Sequence, residues 1–133
     1  MSLLDQVKVF EFPKISDPRG NLSFVEGARH IPFSIKRVYY IYDVPGGETR
    51  GGHAHKTCSS VLIALSGSLD VRLTDGENEV TITLNRANKG VLTPPGLWRT
   101  MHNFTKQPFA SNGSSKQLFF TKTTVFEQHI RGA

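Results

Sequence analysis

Apolar and polar residues alternate along much of this chain in short runs. Leu69, Val71 and Leu73 are interleaved with Asp70, Arg72 and Thr74. Beyond Asp75-Gly76, Val80, Ile82 and Leu84 are interleaved with Thr81 and Thr83. A period of two belongs to a strand with one buried face, so these runs predict a hairpin with a loop longer than two residues. Ile35 to Tyr42 is β-branched and aromatic, and alternation groups Arg37, Tyr39 and Ile41 on one face with Val38, Tyr40 and Tyr42 on the other. Val61 to Leu65 is apolar throughout, as in a strand covered on both faces. Asp17-Pro18-Arg19-Gly20, Pro45-Gly46-Gly47, Asp75-Gly76 and Pro94-Pro95-Gly96 read as turns. The one helical candidate is short and C-terminal, around Val125 to Ile130. Many short strands at regular spacing predict an all-β sandwich or antiparallel barrel whose mouth can hold a small ligand.

Composition narrows the function classes. The 133 residues, 38% hydrophobic and 20% charged, suit a single globular domain spanning 1–133. No apolar run approaches the ~18 residues of a membrane span. The N-terminus lacks a basic-then-apolar leader, so a cytoplasmic location is expected. Cys58 is the only cysteine, which excludes an internal disulfide and a multi-cysteine metal site. The 16 basic residues exceed the 11 acidic ones by five, which suits an anionic partner. The basic residues are dispersed without a stripe, so a nucleic acid is not expected.

The densest chemistry is Arg50-Gly51-Gly52-His53-Ala54-His55-Lys56. On a strand, His53 and His55 share a face. They lie either on a solvent face or, following a Gly-rich turn with Arg50 beside them, in a pocket. Gly47, His53, His55, Ser60 and Gly67 fall at the spacing of the first cupin motif. Pro94, Gly96, Arg99 and Asn103 fall at that of the second, with Asn88 where its opening glycine belongs and Gly90 nearby. The chain therefore resembles the cupins, which implies an antiparallel jelly-roll barrel with its site inside. Ser60 and Arg99 occupy the positions of the glutamate and the later histidine that complete a cupin metal site. A hydroxyl is a poor ligand and a guanidinium repels a cation, so no metal is expected.

A narrower resemblance rests on Asp17-Pro18-Arg19-Gly20-Asn21-Leu22, on Ile31 through Ile41, on the Arg50–Lys56 run and on the segment from Pro95 to Phe104. Over roughly residues 7–106 the chain is similar to the sugar 3,4-ketoisomerases. These are metal-free, WxcM-like cupins acting on dTDP-4-keto-6-deoxyglucose. The resemblance implies an isomerase that moves a keto group from C4 to C3 through an enediolate, without a cofactor, in deoxy-amino-sugar biosynthesis for lipopolysaccharide or S-layer glycans. It implies that His53 is the base and that His55 holds or polarises the sugar. A phenol both donates and accepts, which suits Tyr39 to shuttle protons between the oxygens. Arg37 and Tyr39 are then assigned inward. Arg50 and Arg99 supply fixed positive charge for the enediolate or the diphosphate, and Arg19, following a turn, is expected near the pocket mouth. The family's barrels imply a homodimer that exchanges N-terminal strands.

Two alternatives stand beside this reading: a cupin that binds a nucleotide sugar without turnover, and a dTDP-sugar 3,5-epimerase-like enzyme. A metal dioxygenase is disfavoured by Ser60 and Arg99. Trp98 and Cys58 are expected to be buried packing residues, and His30 and His129 to be exposed. Residues 107–133 depart from the family. Gln107 to Gln117 is polar and predicts a loop before a last strand at Leu118 to Thr121, or else a barrel short of one strand.

Overall fold

The computed structural model describes residues 3–41, 49–53, 59–104 and 122–127, with side chains described at 3–41, 49 and 59–104. After one 3-10 turn at Leu3–Gln6, the elements are β1 (Lys8–Glu11), β2 (Lys14–Asp17), β3 (Gly20–Ser23), β4 (Arg37–Ile41), β5 (Arg50–His53), β6 (Ser60–Ser66), β7 (Leu69–Thr74), β8 (Glu79–Leu84), β9 (Lys89–Thr93), β10 (Trp98–His102) and β11 (Lys122–Glu127). They form a five-stranded sheet, β1-β9-β6-β11-β4, a four-stranded sheet, β5-β10-β7-β8, and the two-stranded ribbon β2-β3. The paired strands run antiparallel. This is the expected all-β cupin jelly roll. Among the described residues no helix is long and apolar enough to cross a membrane.

The two larger sheets close on a common core. Leu62, Ala64 and Val91 of one sheet meet Leu69, Val71, Leu73, Leu84 and Met101 of the other. The alternation in β7 resolves as expected, with Leu69, Val71 and Leu73 buried. The apolar run of β6 is covered on both faces from Val61 to Ala64. Leu62 and Ala64 join the inter-sheet core, whereas Val61 and Ile63 pack outward against Phe12, Ile31 and Phe33. Leu65, expected to share that cover, is 49% exposed beyond the end of the outer cluster.

The segment after β1 lies flat on the outer face because Gly90 lets it. A Cβ at Gly90 would stand 2.7 Å from Phe12 Cε2 and 3.0 Å from Val61 Cγ1. Asn88 holds the same segment: Phe12 N donates to the Asn88 carbonyl at 2.7 Å, and Asn88 Nδ2 donates to the Phe12 carbonyl at 3.2 Å. The cupin-motif glycines have a conformational role: Gly67 has φ +67 and Gly96 φ +90, where an L side chain is strained.

The C-terminal expectation needs correcting. Val125 to Glu127, read as the start of a helix, belong to β11, which fills the slot between β6 and β4. Two-sided ladder pairing outweighs a weak local helical pattern there. The described five-stranded sheet has a strand in that slot, and it begins at Lys122. Leu118–Thr121, Pro45–Gly47, Cys58 and His129 lie outside the described residues.

Two stability predictions follow from named contacts. Gly90→Ala pushes a methyl into Phe12, which is 3% exposed and has nowhere to go; the expected loss is about 1–3 kcal/mol in urea unfolding. Asp70 ties three strands' ends together, accepting from Asn103 Nδ2 at 2.8 Å and Thr83 Oγ1 at 2.7 Å. The Asn103 bond first, and then the Thr83 bond, hold its carboxyl below the usual aspartate value. A carboxyl lowered in the fold stabilises above its unfolded value, near pH 4, and loses that contribution as pH falls through the folded value. Acid unfolding curves of Asp70→Asn should therefore be flatter below about pH 4 than those of the parent.

Candidate active site

Strand β4 alternates between barrel and solvent. Val38 and Tyr40 are 50% and 64% exposed, which leaves Arg37, Tyr39 and Ile41 on the inner face, as expected from their spacing; Tyr39 and Ile41 pack against the inter-sheet core. From the opposite sheet, β10 sends Arg99 and Met101 inward, both almost fully buried. Arg99 is no surface charge: it is 1% exposed. Its Nη2 donates to Tyr39 Oη at 3.2 Å, and the Arg37 guanidinium lies 5.3 Å from the centre of the Tyr39 ring. Two fixed cations and a phenol thus meet inside the barrel. The Arg99 bond occupies a phenol lone pair and leaves the Tyr39 O–H able to donate elsewhere.

The histidine segment reaches the same place by register. β5 pairs with β10 so that His53 is opposite Arg99 and Arg50 is opposite Met101, with an irregularity between them. Two residues of β5, Gly51 and Gly52, therefore face the single Thr100. Such a bulge twists a strand and re-aims its neighbours, and two glycines accommodate it readily. His55 lies outside the described residues.

One register row crosses the end of the five-stranded sheet nearest these groups. Arg37 is in register with Glu127, Glu127 with Ser60, and Ser60 with Thr93. The next row in register is Tyr39, Val125, Leu62 and Val91, of which Leu62 and Val91 are buried in the inter-sheet core with Tyr39 packed against it. The end crossed by the Arg37 row also carries the short connection from Thr93 to Trp98 and hence Arg99. Thr93 was not singled out from sequence.

In a metal-binding cupin, a glutamate and a histidine ligand stand at the positions of Ser60 and Arg99. The described residues contain no cluster of three or more His, Cys, Asp or Glu. What opposes a cation is the donor set: a buried guanidinium stands at one ligand position and a neutral hydroxyl at another.

Other expectations resolve differently. Arg19 lies on the turn between β2 and β3, 90% exposed, with Nη2 2.8 Å from Asp17 Oδ2; within one chain it is not brought to the Arg99–Tyr39 pair. Trp98 is 48% exposed on the outer face, because its neighbour Arg99 takes the inner one. His102 also faces outward, with its ring nitrogens 2.5 Å from Thr100 Oγ1 and 3.3 Å from Thr49 Oγ1. His30 is only partly exposed. Its Nδ1 accepts from Glu26 N at 2.9 Å and its ring meets Phe24 edge-on.

Known proteins resemble this chain in both sequence and fold. Residues 5–117 match the family described as FdtA: WxcM-like, C-terminal. A TDP-4-oxo-6-deoxy-alpha-D-glucose-3,4-oxoisomerase from Aneurinibacillus thermoaerophilus is 49% identical over 98 residues, 74% of this chain and 70% of the relative. Among solved structures, the sugar 3,4-ketoisomerase QdtA from Thermoanaerobacterium thermosaccharolyticum, in complex with TDP, superposes with a TM-score of 0.81 at 36% identity, covering 93% of this chain and 81% of that one. The TDP-quinovose 3,4-ketoisomerase WlaRB from Campylobacter jejuni gives 0.79 at 37% identity, covering 96% and 88%. A dTDP-4-dehydrorhamnose 3,5-epimerase from Bacillus anthracis, 14% identical with a TM-score of 0.76 over 100% of this chain and 77% of that one, shares the fold. The family match and the 49% identical relative establish that this chain belongs to the WxcM-like 3,4-ketoisomerase family of cupins.

Proposed function

We propose that the protein isomerises dTDP-4-keto-6-deoxyglucose, moving the keto group from C4 to C3. The carrying observation is the buried Arg99–Tyr39 hydrogen bond, with His53 opposite Arg99 in the sheet register. The names of the relatives support the substrate class.

The C3 proton is acidified by the neighbouring carbonyl, and neutral His53 takes it. The C3–H electrons form the C3–C4 double bond and the carbonyl electrons move onto O4. Arg99 and Arg37 supply fixed charge where that oxyanion develops, and Arg50 assists at the diphosphate. The imidazolium of His53 then protonates C4, while Tyr39 carries a proton from O3 to O4, leaving a C3 ketone. One hydrogen moves from carbon to carbon and one from oxygen to oxygen, so the step needs no oxidant. His55 holds the sugar.

We further propose a homodimer. Every residue of β2 and β3 is exposed, and the cross-strand pair Ile15 and Leu22 is 56% and 57% exposed. A two-stranded ribbon is weak alone, and a second copy of the chain would cover it and bring Arg19 towards the partner's barrel.

Incubation of the protein with the keto-sugar in deuterated water, without added metal, should give the 3-keto product by NMR. His53→Asn should lower the rate by about 10²-fold or more, and Tyr39→Phe should lower kcat more than it raises KM. Unchanged substrate would overturn the isomerase reading in favour of binding alone; deuterium at C3 and C5 without migration of the ketone would indicate epimerase chemistry. Light scattering should give twice the chain mass, and a single-chain mass at working concentration would rule the dimer out.

A further inference from the structure

Ser60 and Thr93 stand directly opposite each other on β6 and β9. They are 1% and 3% exposed. Both lie on the inner face, since Ser60 alternates with Leu62 and Ala64 of the inter-sheet core, and Thr93 with Val91. Facing hydroxyls on neighbouring strands ordinarily bond across the pair. Here neither does: among the described residues, Ser60 Oγ and Thr93 Oγ1 have no hydrogen-bond partner. Buried hydroxyls are nearly always bonded, and two such groups side by side in one row are unfavourable for the empty protein. They also occupy the barrel end that carries Arg37, Arg99 and the backbone of His53.

We infer that the Ser60–Thr93 hydroxyl pair is a sugar-contacting subsite that binds oxygens of the hexose and leaves the diphosphate to Arg50. The inference rests on the proposed nucleotide-sugar reading. Hydroxyls both donate and accept, so they match the mixed carbonyl and hydroxyl oxygens of a keto-hexose. A guanidinium such as that of Arg50 matches a diphosphate, which only accepts. The division follows from the chemistry of the two kinds of group.

The experiment compares Ser60→Ala, Thr93→Val and Thr93→Ser with the parent chain by calorimetric titration. The probes are dTDP-4-keto-6-deoxyglucose and TDP, which lacks the hexose. Ser60→Ala and Thr93→Val should each weaken the keto-sugar about threefold to tenfold and leave TDP unchanged. Thr93→Ser, which keeps the hydroxyl, should retain the parent affinity. Without ligand, Ser60→Ala and Thr93→Val should melt at or above the parent temperature, because each removes an unsatisfied buried hydroxyl. Equal losses for both probes would assign the pair to the diphosphate and overturn the subsite. Unchanged binding, or a marked fall in the ligand-free melting temperature, would assign the hydroxyls to internal structure and overturn it as well. A parent protein that binds the keto-sugar without isomerising it contradicts the reaction while this comparison still decides the subsite; failure to bind either probe overturns both.

Discussion

A guanidinium that is 1% exposed must be given partners by the fold, because it cannot shed its charge. For Arg99 one of those partners is the phenol oxygen of Tyr39, and the two residues belong to different sheets. Their bond therefore ties β10 to β4 across the barrel. Among the described strands, however, β4 stands at the edge of its sheet and is joined to the rest through β11. The position of Tyr39, and of Arg37 beside it, thus depends on six residues near the C-terminus, Lys122–Glu127, pairing on both sides. The stretch with the least family character holds the edge strand that carries two of the proposed functional side chains.

The alternation of β4, β7 and β8 was readable because one-sided burial leaves a period of two in the sequence. The two-sided cover of Val61 to Ala64 was readable because it removes that period. β11 was not readable in the same way. Thr123, Thr124, Val125 and Phe126 are β-branched or aromatic and favour a strand, but the helical reading around Val125 to Ile130 cut across them. Trp98 failed for a different reason. The general tendency of tryptophan to be buried was applied without the alternation that, once Arg99 faces inward, turns Trp98 outward.

The candidate site was legible as chemistry more than as geometry. The histidine run and the Ser60 and Arg99 departures marked the candidate chemistry, and Ser60 and Arg99 are both buried in the fold. Sequence could not show that Arg99 bonds Tyr39, since the two are far apart in the chain and meet only when the sheets close. Nor could it show the role of Asn103, which fits the second cupin motif. Asn103 has φ +55 and donates to Asp70, so the motif position holds a strand end in place, in a backbone conformation asparagine tolerates better than most residues.

The distribution of polarity inside the barrel bears on the chemistry. Among the described inward side chains, one row carries Tyr39, Leu62 and Val91, and the row beside it carries Arg37, Ser60 and Thr93. A barrel selected for stability alone would place apolar side chains in both rows, because buried ions and unsatisfied hydroxyls oppose folding. Concentrating them at one end limits that cost to a single layer while the layers below remain close-packed. In the proposed reaction, the developing oxyanion meets guanidinium groups already fixed in place by the sheets. Charge that is fixed before the reaction needs no reorganisation during it, and low-dielectric surroundings strengthen its effect. Arg99 would then meet, at a position that serves a ligand in metal-binding cupins, the electrostatic demand that a divalent ion meets there.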